Sequence, residues 1–169
     1  TCALPIFKER PDGKGNMAPC ETWDNAILSC QVETIDQEFP MVLSMKRIAP
    51  GHANTWFLRI NGTELSAEFT TKNPKQLAYL PYQTGCSQAW HVEDVPYASA
   101  YKTITGGIFE FGFSDSILQM WAAFCDELTH GKDGMQQSFY CADPEEANQS
   151  HRLFTAALES HKTGNTIKL

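Results

Sequence analysis

The hydrophobic period of the chain changes once, and that change restricts the fold more than any motif does. Between about residues 22 and 95, apolar residues alternate in short runs bounded by turn residues. From residue 114 onward they recur at helical spacing. The first region reads as six strands: TWDNAILSCQVET, FPMVLSMKRIA, TWFLRIN, TELSAEFTT, QLAYLPY and SQAWHVEDV. Asn61-Gly62 joins the third to the fourth by a hairpin signal, and consecutive hairpins build antiparallel sheet. Strands first and helices afterwards predict an α+β fold: a large, open, mostly antiparallel sheet with helices packed on one face.

Two helices are expected. Ser114 or Asp115 caps one that runs to about His130, with Ile117, Trp121, Phe124 and Leu128 as its apolar stripe. His130 sits at the negative end of its dipole, and Gly131 supplies the stop. Asp143 caps the second, with Pro144 at the first helical position and Glu146 completing a capping box. Its apolar face is Ala147, Phe154 and Leu158, with Leu153 and Ala157 beside it; His151 near that face reads as a packing residue. Gly164 ends the helix, and residues 166–169 can add an edge strand. Residues 1–20, rich in Pro, Gly and charge, read as an extended arm or loop ahead of one domain over 21–169. The aromatic, glycine-rich residues 97–113 read as an irregular loop.

A sheet covered by helices on one face leaves the other open. Met41, Leu43 and Met45 alternate with Val42 and Ile48, and Trp56, Leu58 and Ile60 with Phe57. Both faces therefore carry apolar residues, and a further layer is expected, either a second copy or another domain.

The formal charge of −7 argues against nucleic acid, since phosphate binding requires clustered Lys and Arg, and the densest basic pair is Lys46-Arg47. No apolar run approaches a membrane span, so no membrane partner is expected. The six cysteines, at 2, 20, 30, 86, 125 and 141, contain no CxxC pair. They read as small buried thiols of a reducing, cytoplasmic protein rather than as three disulfides. The five histidines form neither HxxxH nor HExxH, so no metal site is expected. Asp12-Gly13-Lys14-Gly15 lacks the third glycine and the strand–helix setting of a dinucleotide turn, and no P-loop is present. No nucleophile motif occurs. No catalytic, cofactor-binding or metal-ligating residue is therefore assigned.

Four residues around one turn are candidates for substrate contact. Lys46, Arg47 and His52 can hold a polar or anionic group, and Trp56 can stack on a sugar ring. The plainer alternatives are a solvated turn for the first three and packing for the tryptophan. Trp90 faces the same choice. Asp24-Asn25 is either a site pair or a strand-entry pair bonded to backbone.

Trp23-Asp24-Asn25-Ala26 opening a strand, Ile60-Asn61-Gly62-Thr63 followed by Leu65, FSDSILQMWAAFCDEL, and the ending PEEANQSHRLFTAALESHKTGNTIKL together resemble one family. This is the C-terminal domain of the glucose–fructose oxidoreductase, inositol dehydrogenase and related (Gfo/Idh/MocA) oxidoreductases, and the likeness covers about residues 21–169. The resemblance implies an N-terminal Rossmann domain outside this chain that binds NAD or NADP. It implies a substrate-binding and oligomerisation domain here, a sugar or cyclitol substrate, and a homo-oligomer formed through the sheet. The family's glycine fingerprint, its Glu-Lys-Pro segment and its Asp-x-x-x-His helix have no counterpart here, so no catalytic residue is carried over. The chain then reads as a fragment that is inactive alone, with no cofactor of its own. The alternative is a non-catalytic ligand-binding or scaffold domain of the same fold.

Overall fold

The computed structural model describes residues 1–95, 99–109, 111–137 and 141–169. Along these run β1 (Cys2–Leu4), β2 (Glu9–Pro11), β3 (Met17–Pro19), β4 (Asn25–Glu33) and β5 (Glu38–Lys46). There follow β6 (Phe57–Asn61), β7 (Leu65–Thr70), β8 (Gln76–Pro81), β9 (His91–Asp94), α1 (Phe113–His130) and α2 (Pro144–Thr163). All strand pairings are antiparallel and the architecture is α+β. The strands form not one large sheet but three among the described residues: β1-β4-β5, the hairpin β2-β3, and the meander β6-β7-β8-β9. The chain divides into two compact units, residues 1–51 with 142–169, and residues 52–141.

In the first unit, β4 is the central strand, which is why its inward side chains are the best covered. Ala26, Leu28 and Cys30 lie directly across from Met45, Leu43 and Met41 of β5. Leu153 and Ala157 of α2 close over Ala3, Ala26 and Leu28. Leu28 is only 2% exposed. The opposite face keeps Ile27 and Val42 in solvent. The first twenty residues are more ordered than an arm: β1 pairs with β4, and β2 with β3.

The second helix begins as its sequence predicts. Asp143 accepts from the Glu146 N–H at 2.9 Å, the Glu146 carboxylate accepts from the Asp143 N–H at 3.0 Å, and Pro144 takes the first turn. Gly164 closes the helix at φ 71°, a left-handed conformation that costs a glycine little. Its buried face, however, is turned from the expected one. Leu153, Ala156, Ala157 and Ser160 point inward, while Phe154, Leu158 and His151 are exposed. Small residues let the helix lie close to the sheet, and the N-terminal ammonium of Thr1 donates to Ser160 Oγ at 3.1 Å. Trp23 meets His161 edge-on at 4.9 Å. Residues 166–169 form no strand, because no strand edge pairs with them.

In the second unit, the β6–β7 turn needs Gly62. Its N–H donates to the Leu65 carbonyl at 2.9 Å, and a Cβ there would stand 2.7 Å from that oxygen. The register gathers Leu58, Ile60, Leu65, Ala67, Phe69, Leu77 and Tyr79 on one face of the meander. Arg59, Ser66, Glu68 and Thr70 share the other, where Arg59 pairs with Glu68 at 2.5 Å. Phe57, Ala78, Leu80 and Val92 lie on that second face too, so both faces carry apolar residues, as expected. Leu58 and Ile60 remain more than half exposed on the first face.

The first helix departs furthest from expectation. Gly112 is its N-cap, and Asp115 sits at the third helical position, where its carboxylate accepts from the Gly112 N–H at 2.7 Å. Ile117, Trp121, Phe124 and Leu128 are exposed, and Gln119, Ala123 and Asp126 are buried. All six cysteines are free, as expected, but none is buried; Cys2, Cys86 and Cys125 are exposed. Of the stretch read as an irregular loop, residues 99–109, 111 and 112 form no strand or helix, and 97, 98 and 110 lie outside the described residues.

Candidate functional site

The four candidate contact residues do not form one site in either unit. Lys46 ends β5 and Arg47 follows it; both are exposed, and the Arg47 N–H donates to the Asp24 carbonyl at 2.6 Å. His52 and Trp56 belong to the second unit. His52 is exposed in the turn before β6. Trp56 is 70% exposed, its N–H donating to Thr71 Oγ1 at 2.9 Å and its carbonyl accepting from the Thr71 N–H at 3.0 Å. Trp90 is also exposed.

Asp24 turns out to be a structural knot. It is buried, and its carboxylate accepts from the N–H groups of Ile6 at 2.8 Å and Phe7 at 3.3 Å and from the Arg10 guanidinium. For Asp24 the strand-entry reading is thus the observed one, with Arg10 as a partner that local sequence does not announce. Beside it, hydrogen bonding to Thr22, first through the hydroxyl 3.6 Å from Sγ, and the nearby Arg10 charge hold the Cys20 thiol below its usual pKa.

A more coherent cluster lies in the second unit, on the buried face of α1. Asp126 accepts from the Tyr101 hydroxyl at 2.9 Å and from the Gln136 N–H at 2.8 Å, and His130 Nδ1 lies 2.7 Å from its other oxygen. Gln119 binds the Tyr101 backbone twice, accepting from its N–H at 2.7 Å and donating to its carbonyl at 3.0 Å. Burial alone would raise the Asp126 pKa, but the bonds from Tyr101, Gln136 and His130 outweigh it and hold the carboxyl below its usual value. Desolvation first, and then the Asp126 charge and hydrogen bond, push the Tyr101 phenol up to about 12. A phenol held so firmly in its neutral form is a poor base. The cluster acts as a brace that pins Tyr101 and Gln136 to the helix.

Behind this brace lies a cavity of about 220 Å³, lined among others by Lys102, Thr103, Asp115, Leu118, Gln119 and Ala122. Sequence reasoning passed over it, because Lys102 belongs to no motif and Asp115 reads as a helix cap, and only the fold sets both on one cavity. The only sequence-level hint was a pair of polar residues, Gln119 and Asp126, seven apart on one helix and opposite the apolar stripe.

Neither helix start fits a dinucleotide pyrophosphate. The first turn of α1 carries Asp115, and that of α2 carries Glu145 and Glu146 behind the capping Asp143, all of which repel phosphate. Among the described residues no group of three or more His, Cys, Asp or Glu side chains converges as metal ligands. Among the same residues no helix is long and apolar enough to cross a membrane.

No family model matches the chain, and no curated protein matches it. Among solved structures, it is similar to a crystal structure of an oxidoreductase from Sinorhizobium meliloti, with a TM-score of 0.69 at 21% identity. The match covers 88% of this chain and 42% of that one, so the chain spans less than half of the oxidoreductase's length. At that identity the likeness is one of fold: the chain has the fold of part of an oxidoreductase.

Proposed function

We propose that the chain is the substrate-binding and oligomerisation domain of an NAD(P)-dependent oxidoreductase of the Gfo/Idh/MocA kind, acting on a sugar or cyclitol. The observation that carries this reading is the fold match, in which nearly the whole chain corresponds to less than half of an oxidoreductase. Further support comes from the placement of the motifs. Trp23-Asp24-Asn25 opens the central strand β4, and the ending forms a capped helix with a glycine stop. The dinucleotide, NAD or NADP, would be held by a separate Rossmann domain, since the helix starts here repel phosphate. Lys46, Arg47, His52 and Trp56 would contact substrate, and the protein would be cytoplasmic. The apolar face of the meander, with Leu58 and Ile60 exposed, suits burial in a homo-oligomer.

The test is to read the coding sequence upstream of Thr1 and to assay the protein it encodes. A frame carrying a Gly-x-Gly-x-x-Gly turn, and nicotinamide-linked turnover of a sugar or cyclitol, are the expected results. In that protein His52→Ala and Trp56→Ala should raise KM, while the 169-residue chain alone shows no turnover. A frame without the turn, or a whole protein that neither binds nor reduces nicotinamide, would overturn the reading. Nicotinamide-independent ligand binding would instead establish the scaffold or ligand-binding alternative.

A further inference from the structure

We infer that β6 pairs edge to edge with the β6 of a second copy, antiparallel about a two-fold axis at Leu58, so that two four-stranded meanders become one continuous sheet. The hydrogen-bond alternation of the β6–β7 pair fixes which groups point outward. The Trp56 carbonyl accepts from Thr71 and the Gly62 N–H donates to Leu65, so the even-numbered residues of β6 bond to β7. The N–H and C=O groups of Phe57, Arg59 and Asn61 therefore face away from β7, and among the described residues no group bonds to them. Such an edge is a template for another strand, and proteins guard the edges that they keep free. The other edges of the described sheets are guarded. β1, β2 and β3 have three residues each. On β5 the odd-numbered residues face β4, as the Arg47 bond to Asp24 shows, so Pro40, which has no N–H, falls on the outer edge. β9 has four residues and ends in Glu93 and Asp94. β6 has neither device: its one charge, Arg59, is already paired with Glu68, and all five of its side chains are exposed.

The side chains choose the partner and the register. An axis at Arg59 would set Arg59 against its own copy, like charges directly opposed. An axis at Ile60 would set Leu58 against Gly62 and leave Trp56 and Phe57 outside the pairing. An axis at Leu58 sets Leu58 against Leu58, Ile60 against Trp56, and Phe57 against Arg59. Trp56, Phe57, Leu58 and Ile60 are each more than half exposed in one copy, and this register draws all four into cross-strand pairs. The Arg59 guanidinium already lies 5.3 Å from the Phe57 ring of its own strand, and pairing brings it a second ring. Phe57 and Arg59, whose backbone groups point outward, exchange both hydrogen bonds with their counterparts. The contact is self-complementary and closes at two copies, whereas β6 laid on β9 of another copy would leave free edges and meet Glu93 and Asp94. This contact is made through the strand edge rather than the sheet face. It rests on the homo-oligomer reading above for the presence of a second copy, and not on nicotinamide chemistry.

The experiment is sedimentation velocity of the 169-residue chain together with cysteine cross-linking. The unaltered chain should associate. Arg59→Pro removes an outward N–H and leaves the bonds to β7 and the side chains of Leu58 and Ile60 in place, and it should weaken association about tenfold or more. Leu58→Cys should form a disulfide with its own copy on mild oxidation, because opposed residues in a pair without hydrogen bonds lie ~4.5 Å apart, within disulfide reach. Arg59→Cys and Ile60→Cys should not, and peptide mapping separates these bonds from those of the six native cysteines. No association of the unaltered chain, undiminished association of Arg59→Pro, or cross-linking at 59 or 60 in preference to 58 would each overturn the inference. Association that survives Arg59→Pro but is lost in Leu58→Asp with Ile60→Asp would sink the edge contact and leave a homo-oligomer through the sheet face standing. A cross-link at 58 in a whole protein without nicotinamide chemistry would do the reverse, keeping the edge contact while the oxidoreductase reading falls.

Discussion

Asp24 and Asp126 are the buried carboxylates among the described residues, and each ties distant segments together. Asp24 joins the exit of β1, the start of β2 and the end of β5. Asp24→Ala leaves Arg10 and two backbone N–H groups without their acceptor. It should destabilise the chain by about 3 kcal/mol, read as a fall in the urea midpoint. Asp126 and Tyr101 predict a pH dependence with two limbs. Asp126 has a lowered folded pKa, so its contribution is present above the ordinary value of 3.8 and lost as pH falls through the folded value. Tyr101 has a raised one, so its contribution is complete below the ordinary 10.0 and lost as pH rises through about 12. In a urea-midpoint series against pH, Asp126→Asn should flatten the acid limb, and Tyr101→Phe the alkaline limb. Limbs unchanged in both variants would mean that the brace does not persist in solution.

Elements were legible where the determining contacts are local. The capping box at Asp143, the glycine stop at 164 and the turn at Gly62 are satisfied within four residues of chain, so they can be read from sequence. Helix faces were not, because burial is decided by whatever packs against them. On α1 the apolar stripe predicted an inward Ile117, Trp121, Phe124 and Leu128. Buried instead are Gln119 and Asp126, which find partners in residues 101 and 136, and Ala123 between them. One comparison tests this rotation. Ala123→Leu, at a fully enclosed position, should cost about 1–3 kcal/mol by overpacking. Leu128→Gln, at a position 75% exposed, should stay within about 0.5 kcal/mol. The reverse order in thermal melts would restore the sequence expectation.

At the scale of the whole molecule, the exposed face of the meander yields the prediction that belongs to assembly. Leu58→Asp combined with Ile60→Asp places two charges on that face without touching a buried residue. In sedimentation velocity, the unaltered protein should run as an oligomer and the double variant as a monomer. A monomer in both cases would remove the sheet face as the oligomer contact. What the amino-acid sequence determined by itself was the order of strands and helices between residues 21 and 164, the α+β class, the caps of the second helix and the hairpin turn. Each follows from periodicity or from contacts between near neighbours. Only the tertiary structure decided that the strands form three sheets, that residues 166–169 stay unpaired, that Arg10 meets Asp24, and that Lys102 and Asp115 face one cavity. Strand pairing and side-chain meeting depend on edges and surfaces brought together across long stretches of chain, and local preference carries no record of which edge or surface that will be.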